Sequence, residues 1–412
     1  MYPDWPESAD DLVPLPLCDG PKLKPFDFQG PQQIEFLEFL GDGTHSHVFK
    51  VKILGEVYAL KLFNFLYGAD WMSPHEDQQE DYEAMSALCQ YSEPFNSECR
   101  AFGRLQEVGD EDLAIKCFGY LLLDEEHERA VTQFYKASTH WNIKFNGSMN
   151  WSGEPDLRSV FQGKSGRPAP IRGIVKEFGQ CNDVLRPKHA RKILRDTIRF
   201  QQLGIFSLDT GIHQMVNEKW ADLSTAFTVP HFLTNPELNP RLTPEMVADM
   251  ELEAFLFCKE DYVVFDDMIQ SWNGDPKNRK NKLSVRALPY RLNWRDTYDL
   301  RSLPSRERVY SYVDPSLYDW KASAARGKNR AMGEMDGRGS DGKAEGSNSG
   351  KPTGVAQKTR RWVDKHPSRW YFAGDCKKFA EKLSGEFSHT LDWEFKDGLI
   401  FPRRGRGPEY GS

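Results

Sequence analysis

The stretch Tyr58-Ala59-Leu60-Lys61-Leu62-Phe63 constrains the fold more than any other. Apolar residues fall on both faces of this strand-like run, so it is expected to be covered on both sides. A lysine inside such a strand is costly unless a carboxylate meets it. Glu98 is the candidate. It lies in Asn96–Leu105, where Glu98, Phe102 and Leu105 recur at helical spacing. Upstream, strand signals run from Ile34 to Phe63, broken by Gly41-Asp42-Gly43 and by Leu54-Gly55-Glu56. Val48, Lys50 and Lys52 share one face of a strand, and Phe49, Val51 and Ile53 the other. Gly41 and Gly43 fit either of two readings. They can make an ordinary hairpin turn, or a tight loop whose amides approach phosphate. The choice depends on the carboxylates that follow.

Two apolar strands come next, Ala114–Leu123 and Ile171–Phe178, the second leading into a hinge-like Gly179-Gln180. A helix is expected over about 188–203, with Pro187 in its first turn, Gly204 at its end and Ile193, Leu194, Thr197 and Ile198 buried. The stretch IFSLDTGIHQMVNEKWADLS places Asp209 and Asp222 thirteen residues apart, each after an apolar piece. A further helix starts at Thr243-Pro244-Glu245, with Thr243 as N-cap and Val247, Met250, Leu252, Phe255 and Leu256 as its core face.

Phosphoryl transfer from a nucleotide needs a loop over the phosphates, a lysine on them, a carboxylate for magnesium and a carboxylate facing the acceptor hydroxyl. Each task has a candidate here. Gly41, Gly43 and Ser46 supply the loop, Val48 and Ala59 line the base, and Lys61 with Glu98 holds phosphates. Glu177 and Phe178 reach the hinge. Asp209 faces the acceptor, and Asp222 with Gln214 holds Mg²⁺. Taken singly, each has a plainer reading. Asp209 and Asp222 can cap turns with Thr210-Gly211 and Ser224-Thr225. His45 and His47 share a strand face, but no carboxylate or cysteine completes a metal set with them.

Charge divides the chain. The net −7 resolves into −14 over residues 1–320, +6 over 321–361 and +1 over 362–412. The acidic body argues against general nucleic-acid binding, which draws on Lys and Arg. The basic stretch 321–361 has eight glycines and no Leu, Ile, Phe, Tyr or Trp. It cannot bury enough surface to offset its chain entropy and is expected to be a disordered linker. Seven scattered cysteines without a C-x-x-C pair read as reduced thiols of a nuclear or cytoplasmic protein. The Pro-rich acidic start is not read as a signal peptide, and no apolar run reaches the ~18 residues of a membrane span.

These features together resemble the protein-kinase fold. Its G-x-G-x-x-G-x-V loop stands as Gly41, Gly43, Ser46 and Val48, and its V-A-I-K strand as Tyr58–Lys61. Its catalytic loop stands as Ser207-Leu208-Asp209 with Gln214, and its D-F-G as Asp222-Leu223-Ser224. The departures are Ser46 for the third glycine, Ser207 and Leu208 for His and Arg, Gly211 for a lysine, Gln214 for Asn, and Leu-Ser after Asp222. Only thirteen residues separate Asp222 from Pro236 of an A-P-E-like Asn235-Pro236-Glu237. The phrases GDGTHSHVFKV, YALKLF, ECRAFGRLQE, AIKCFGYL, IRGIVKEF and LGIFSLDTGIHQM resemble, more narrowly, the kinase-like Fta-type subunit family of the fungal inner kinetochore (Sim-type complex).

The resemblance implies an α+β, kinase-like bilobal fold. Its expected parts are an extended arm (1–30), an N-lobe (31–178) with insertions at 66–94 and 124–170, and a divergent helical C-lobe (179–320). The linker (321–361) and a short docked segment (362–412) follow. It implies ATP and Mg²⁺ as ligands, other kinetochore or centromere proteins as partners, and a nuclear place of work. Three functions fit the residues: a nucleotide-binding or pseudokinase scaffold, an active Ser/Thr kinase, and a small-molecule phosphotransferase.

Overall fold

Strand alternation builds the sheet that positions everything else. In the computed structural model, which describes residues 2–66, 82–147, 158, 162–181, 184–285, 287, 314–323, 325, 393–396 and 399–402, β1 (Glu35–Asp42) and β2 (Ser46–Ile53) form the first hairpin. Phe49, Val51 and Ile53 are buried, Val48 and Lys50 half-buried, and Lys52 exposed, as the two-residue period dictates. β3 (Glu56–Phe63) follows, then the two-residue β4 (Phe65–Leu66). Two helices come next, α1 (Tyr82–Ser92) and α2 (Pro94–Val108). After β5 (Cys117–Leu122) and α3 (Glu125–Thr139), β6 (Asn146–Gly147) pairs with β4, and β7 (Arg172–Glu177) enters the main sheet. The sheet is antiparallel throughout, in the order β1-β2-β3-β7-β5. The fold is α+β.

The rest of the chain supplies α4 (Pro187–Gln202), the short pairs β8 (Ile205–Phe206) with β11 (Phe227–Thr228) and β9 (Met215–Val216) with β10 (Lys219–Trp220), and α5 (Pro244–Gly274). A last hairpin joins β12 (Trp393–Lys396) and β13 (Leu399–Pro402). Two units emerge. One is Met1–Leu185 with Ile205–Met250, the other Arg186–Gly204 with Glu251–Ser412. Ile205–Met250 therefore groups with the sheet, across the expected break after residue 178. In the second unit, Gln201 of α4 donates to Cys258 O and Asp261 Oδ2 of α5, each at 2.9 Å, and accepts from Tyr262 at 2.8 Å.

Residues 2–26 are extended apart from a single turn at Ala9–Asp11, and part of this arm is seated on the sheet. Leu15 pairs with Leu23, Phe26 N–H donates to Tyr120 O of β5 at 2.7 Å, and Leu15, Leu23 and Phe26 are buried. Within 66–94, Tyr82–Ser92 is helical and buries Met85, Leu88 and Tyr91 against Phe232. The acidic run before it, at 67–81, lies outside the described residues, as do 148–157 and 159–161 of the other expected insertion. So do the linker, apart from 321–323 and 325, and the 362–412 segment, apart from β12 and β13. Thr243 caps α5 as expected, accepting from Met246 N–H at 3.2 Å, but Val247 is exposed. A cap fixes where a helix begins, not which side it buries. In α4, Ile193, Leu194 and Thr197 are buried and Ile198 is half-buried; Phe200 and Ala190 complete that face. Among the described residues no helix is long and apolar enough to cross a membrane.

Candidate functional site

Lys61 lies in β3 opposite Val48 of β2 and Ile174 of β7. It is 4 % exposed and its ammonium cannot reach open water. Glu98 meets it from α2, a helix capped by the Glu93 carboxylate and ended by Gly109 in the left-handed region. Lys61 Nζ donates to Glu98 Oε2 at 2.9 Å and to Asp222 Oδ1 at 2.6 Å. Burial alone would lower the lysine pKa, but Asp222 and then Glu98 outweigh it and raise it, so the ammonium persists. Asp222 follows β10, its side chain 38 % exposed. Burial would raise its pKa; Lys61, Lys176 and the Ser224 N–H at 2.9 Å overcome this and hold it below the ordinary carboxylate value. The Asp222–Ser224 turn and the ion pair therefore coexist on one oxygen.

A further cation stands here that sequence reasoning missed. Lys176 of β7 is 4 % exposed, pairs across the sheet with Ala59 and Cys117, and donates to Glu98 Oε1 and, at 2.8 Å, to Ala221 O. Its signal is present in the sequence. A lysine inside Ile171–Phe178 meets the same cost as Lys61.

The glycine turn is a hairpin. Gly41 takes φ +149° with open space where a side chain would stand, and Gly43 N–H donates to Ser46 O at 2.9 Å. Ser46 is buried. Asn64 pins the tip, its N–H to His45 O at 2.9 Å and its side chain to Thr44 O at 3.1 Å. His45 Nδ1 lies 3.3 Å from Ser224 Oγ, so the tip touches the residues just after Asp222. His47 instead donates to Lys144 O at 3.1 Å. The two histidines thus have separate partners, and among the described residues no three His, Cys, Asp or Glu side chains converge on a metal position.

Val48, Ala59, Glu177 and Phe178 are half-buried along one stretch of the sheet. Lys50 Nζ sits 4.7 Å from the centre of the Phe178 ring. Beside it, a Cβ at Gly179 would come within 2.5 Å of the Val216 side chain and closer still to that of Asn217, so a larger residue there would displace them.

Asp209 is reached through Leu208, whose φ of +60° is costly for a branched residue. Its carboxylate is not free. Gln214 Nε2 donates to Oδ2, and His213 Nε2 lies 3.4 Å from Oδ1. The bond to Asp209, opposed by burial and helped by the charges of Asp209 and Asp222, raises the His213 pKa. Gln214 meets Asp222 only through the backbone next door, Ala221 N–H donating to Gln214 O at 2.7 Å. The structure thus joins Lys61, Glu98, Lys176 and Asp222 in one cluster and Asp209, His213 and Gln214 in another. Val48, opposite Lys61 on β2, and Ala59, two residues before it on β3, are half-buried, as residues lining a nucleotide base would be. The fit to Mg²⁺ is poor, since Asp222 Oδ1 already accepts from an ammonium and an amide.

Behind this site α2 carries two more buried cations. Arg100 donates to Asp19 O at 2.7 Å, Thr228 O at 2.9 Å and Pro230 O, and Arg104 donates to Val229 O at 2.5 Å. His231, fully buried, accepts from Leu233 N–H at 3.0 Å through Nδ1 and faces Ser92 Oγ through Nε2 at 3.0 Å. Burial and then the Arg100 charge push its pKa well below 6.5. The folded ring stays neutral where the unfolded one takes up a proton. Its contribution is intact above about pH 6.5 and is lost as pH falls, by roughly 1.4 kcal/mol per unit. Urea titrations at pH 7.5 and 5.0 should show that loss, and His231→Asn should flatten the dependence.

One comparison with known proteins bears on the chain. The family model described as kinetochore Sim4 complex subunit FTA2 matches residues 12–227. That span begins in the extended arm and ends five residues after Asp222. No curated protein matches the chain.

Proposed function

The chain belongs to the family of kinetochore Sim4 complex subunit FTA2, and we propose that it serves in such an assembly as a kinase-like scaffold rather than as an efficient kinase. Its partners are then other kinetochore proteins and its place is the nucleus. The observation that carries the reading is the 2.6 Å bridge from Lys61 to Asp222. The ammonium a transferase turns toward phosphate is spent here on two carboxylates, and a third lysine-facing contact, from Lys176 to Glu98, closes the set. Kinase ancestry is supported by the sheet order, by the lysine of β3 meeting the glutamate of the intervening helix, and by an aspartate following a short hairpin. The half-buried Val48, Ala59, Glu177 and Phe178 favour retention of a nucleotide base beside β3.

Active transfer is the second reading, favoured by the partial exposure of Asp209 and Asp222. Asp209→Asn separates the two, because it leaves the buried lysines paired. Cells carrying only that variant are expected to segregate chromosomes as wild type does. Segregation failure with normal protein levels, or peptide phosphorylation by the purified chain that the substitution abolishes, would sink the scaffold reading.

A further inference from the structure

Lys176 is a cation that a nucleotide site of this layout does not require, and its contacts say what it does. Glu98 is fully buried and has two oxygens, one taken by Lys61 and the other by Lys176. With Glu98 shared, Lys61 also leans on Asp222, at 2.6 Å against 2.9 Å to Glu98. The same Asp222 oxygen accepts the Ser224 N–H. The carbonyl oxygen of the preceding residue, Ala221, is occupied by Lys176 at 2.8 Å. Two ammonium groups and two carboxylates therefore balance before any ligand arrives. A hard divalent ion needs several oxygen ligands, with carboxylates among them. Here Asp222 Oδ1 and Ala221 O both face N–H donors, which leaves Asp222 Oδ2 as the carboxylate oxygen open to an ion, and an ion there would be repelled by the ammonium already on that carboxylate.

We infer that the Asp222 site excludes divalent metal ions and that Lys176 is the residue that enforces the exclusion. Without Lys176, Glu98 would claim Lys61 for itself, Ala221 O would be released, and Asp222 would face an incoming ion with one competitor fewer. The inference deepens the kinase-like reading above and rests on it for the meaning of the cluster, but the metal measurement needs no nucleotide.

The probe is Mn²⁺, whose electron paramagnetic signal falls on binding, titrated into the full chain. Wild type and Asp222→Asn are expected to bind Mn²⁺ alike up to millimolar concentration, through the acidic surface only. Lys176→Met should gain a site at least tenfold tighter than that background, and the gain should vanish in Lys176→Met with Asp222→Asn. Lys176→Arg, which keeps the charge, should behave as wild type. A wild-type site lost in Asp222→Asn overturns the inference, as does a folded Lys176→Met with no gain. If Lys176→Met does not fold, the comparison of wild type with Asp222→Asn decides alone. ATP that binds wild type more tightly with Mn²⁺ than without it would also overturn it. ATP that binds under neither condition, with the Lys176→Met gain intact, counts against the nucleotide reading and supports metal exclusion.

Discussion

Glu98→Ala should lower the stability of the sheet-containing unit by about 3–5 kcal/mol, the cost typical of breaking a buried ion pair from one side. The cause is the company Glu98 keeps. It is fully buried and is the shared counter-ion of Lys61 and Lys176, each 4 % exposed. Without it, Lys61 retains Asp222 at hydrogen-bond distance, but Lys176 keeps no carboxylate there, only the Ala221 carbonyl as acceptor. One ammonium must then lose its proton or the cluster must open to water. For a unit of this size the loss corresponds to a drop of about 10 °C in melting temperature. Glu98→Gln, which keeps the shape and one acceptor, should fall between the two. A drop under about 3 °C in Glu98→Ala would mean that packing, not charge, holds α2 to the sheet.

Gly103→Ala is the second large effect, and its sign is the opposite of the usual one. At an open helical position the change stabilises by about 1 kcal/mol. Gly103 is in mid-α2, where a Cβ would lie 2.5 Å from Lys22 O and 2.7 Å from Lys22 C. Those atoms are backbone and cannot rotate away. Either the helix shifts or the arm lifts. Lifting exposes Leu15 and Leu23, at roughly 1.5–3 kcal/mol each as an upper bound. We expect a net loss of about 3 kcal/mol and faster trypsin cleavage after Lys22 than in wild type. An unchanged digestion pattern with an unchanged melting temperature would show that the arm is not seated by this contact.

The Lys61–Glu98 pair is legible in the sequence because an apolar strand leaves a lysine few choices. The same logic applies to Lys176, yet the apolar residues of Ile171–Phe178 draw the eye past its lysine. Asp222 is placed by its spacing from Asp209. Its bond to Lys61 is not, because it depends on how a hairpin 161 residues away in sequence meets β3. The helix Tyr82–Ser92 is hidden by the acidic run before it, although Ala84, Met85, Leu88 and Cys89 keep helical spacing. The arm reads as extended from its prolines, but its seat is visible only in glycines elsewhere. Gly103 receives Lys22, and Gly119 receives Lys24 and Pro25. Val247 shows the reverse failure, an apolar residue at a core-like position that the fold leaves exposed.

The two arginines of α2 also set a timetable for the nascent chain. Arg100 binds the carbonyl of Pro230, 130 residues later in the sequence, and that of Asp19, 81 residues earlier. At ordinary rates of about 5–20 residues per second, the helix waits roughly 6–26 s on the ribosome between its own synthesis and that of its last partner. During that interval a guanidinium destined for full burial must stay hydrated, and the face of α2 around it cannot close. Such long-range closure is also intrinsically slow. A chaperone that recognises an amphipathic helix has its longest opportunity here, and a truncation that ends before residue 230 would never leave that waiting state.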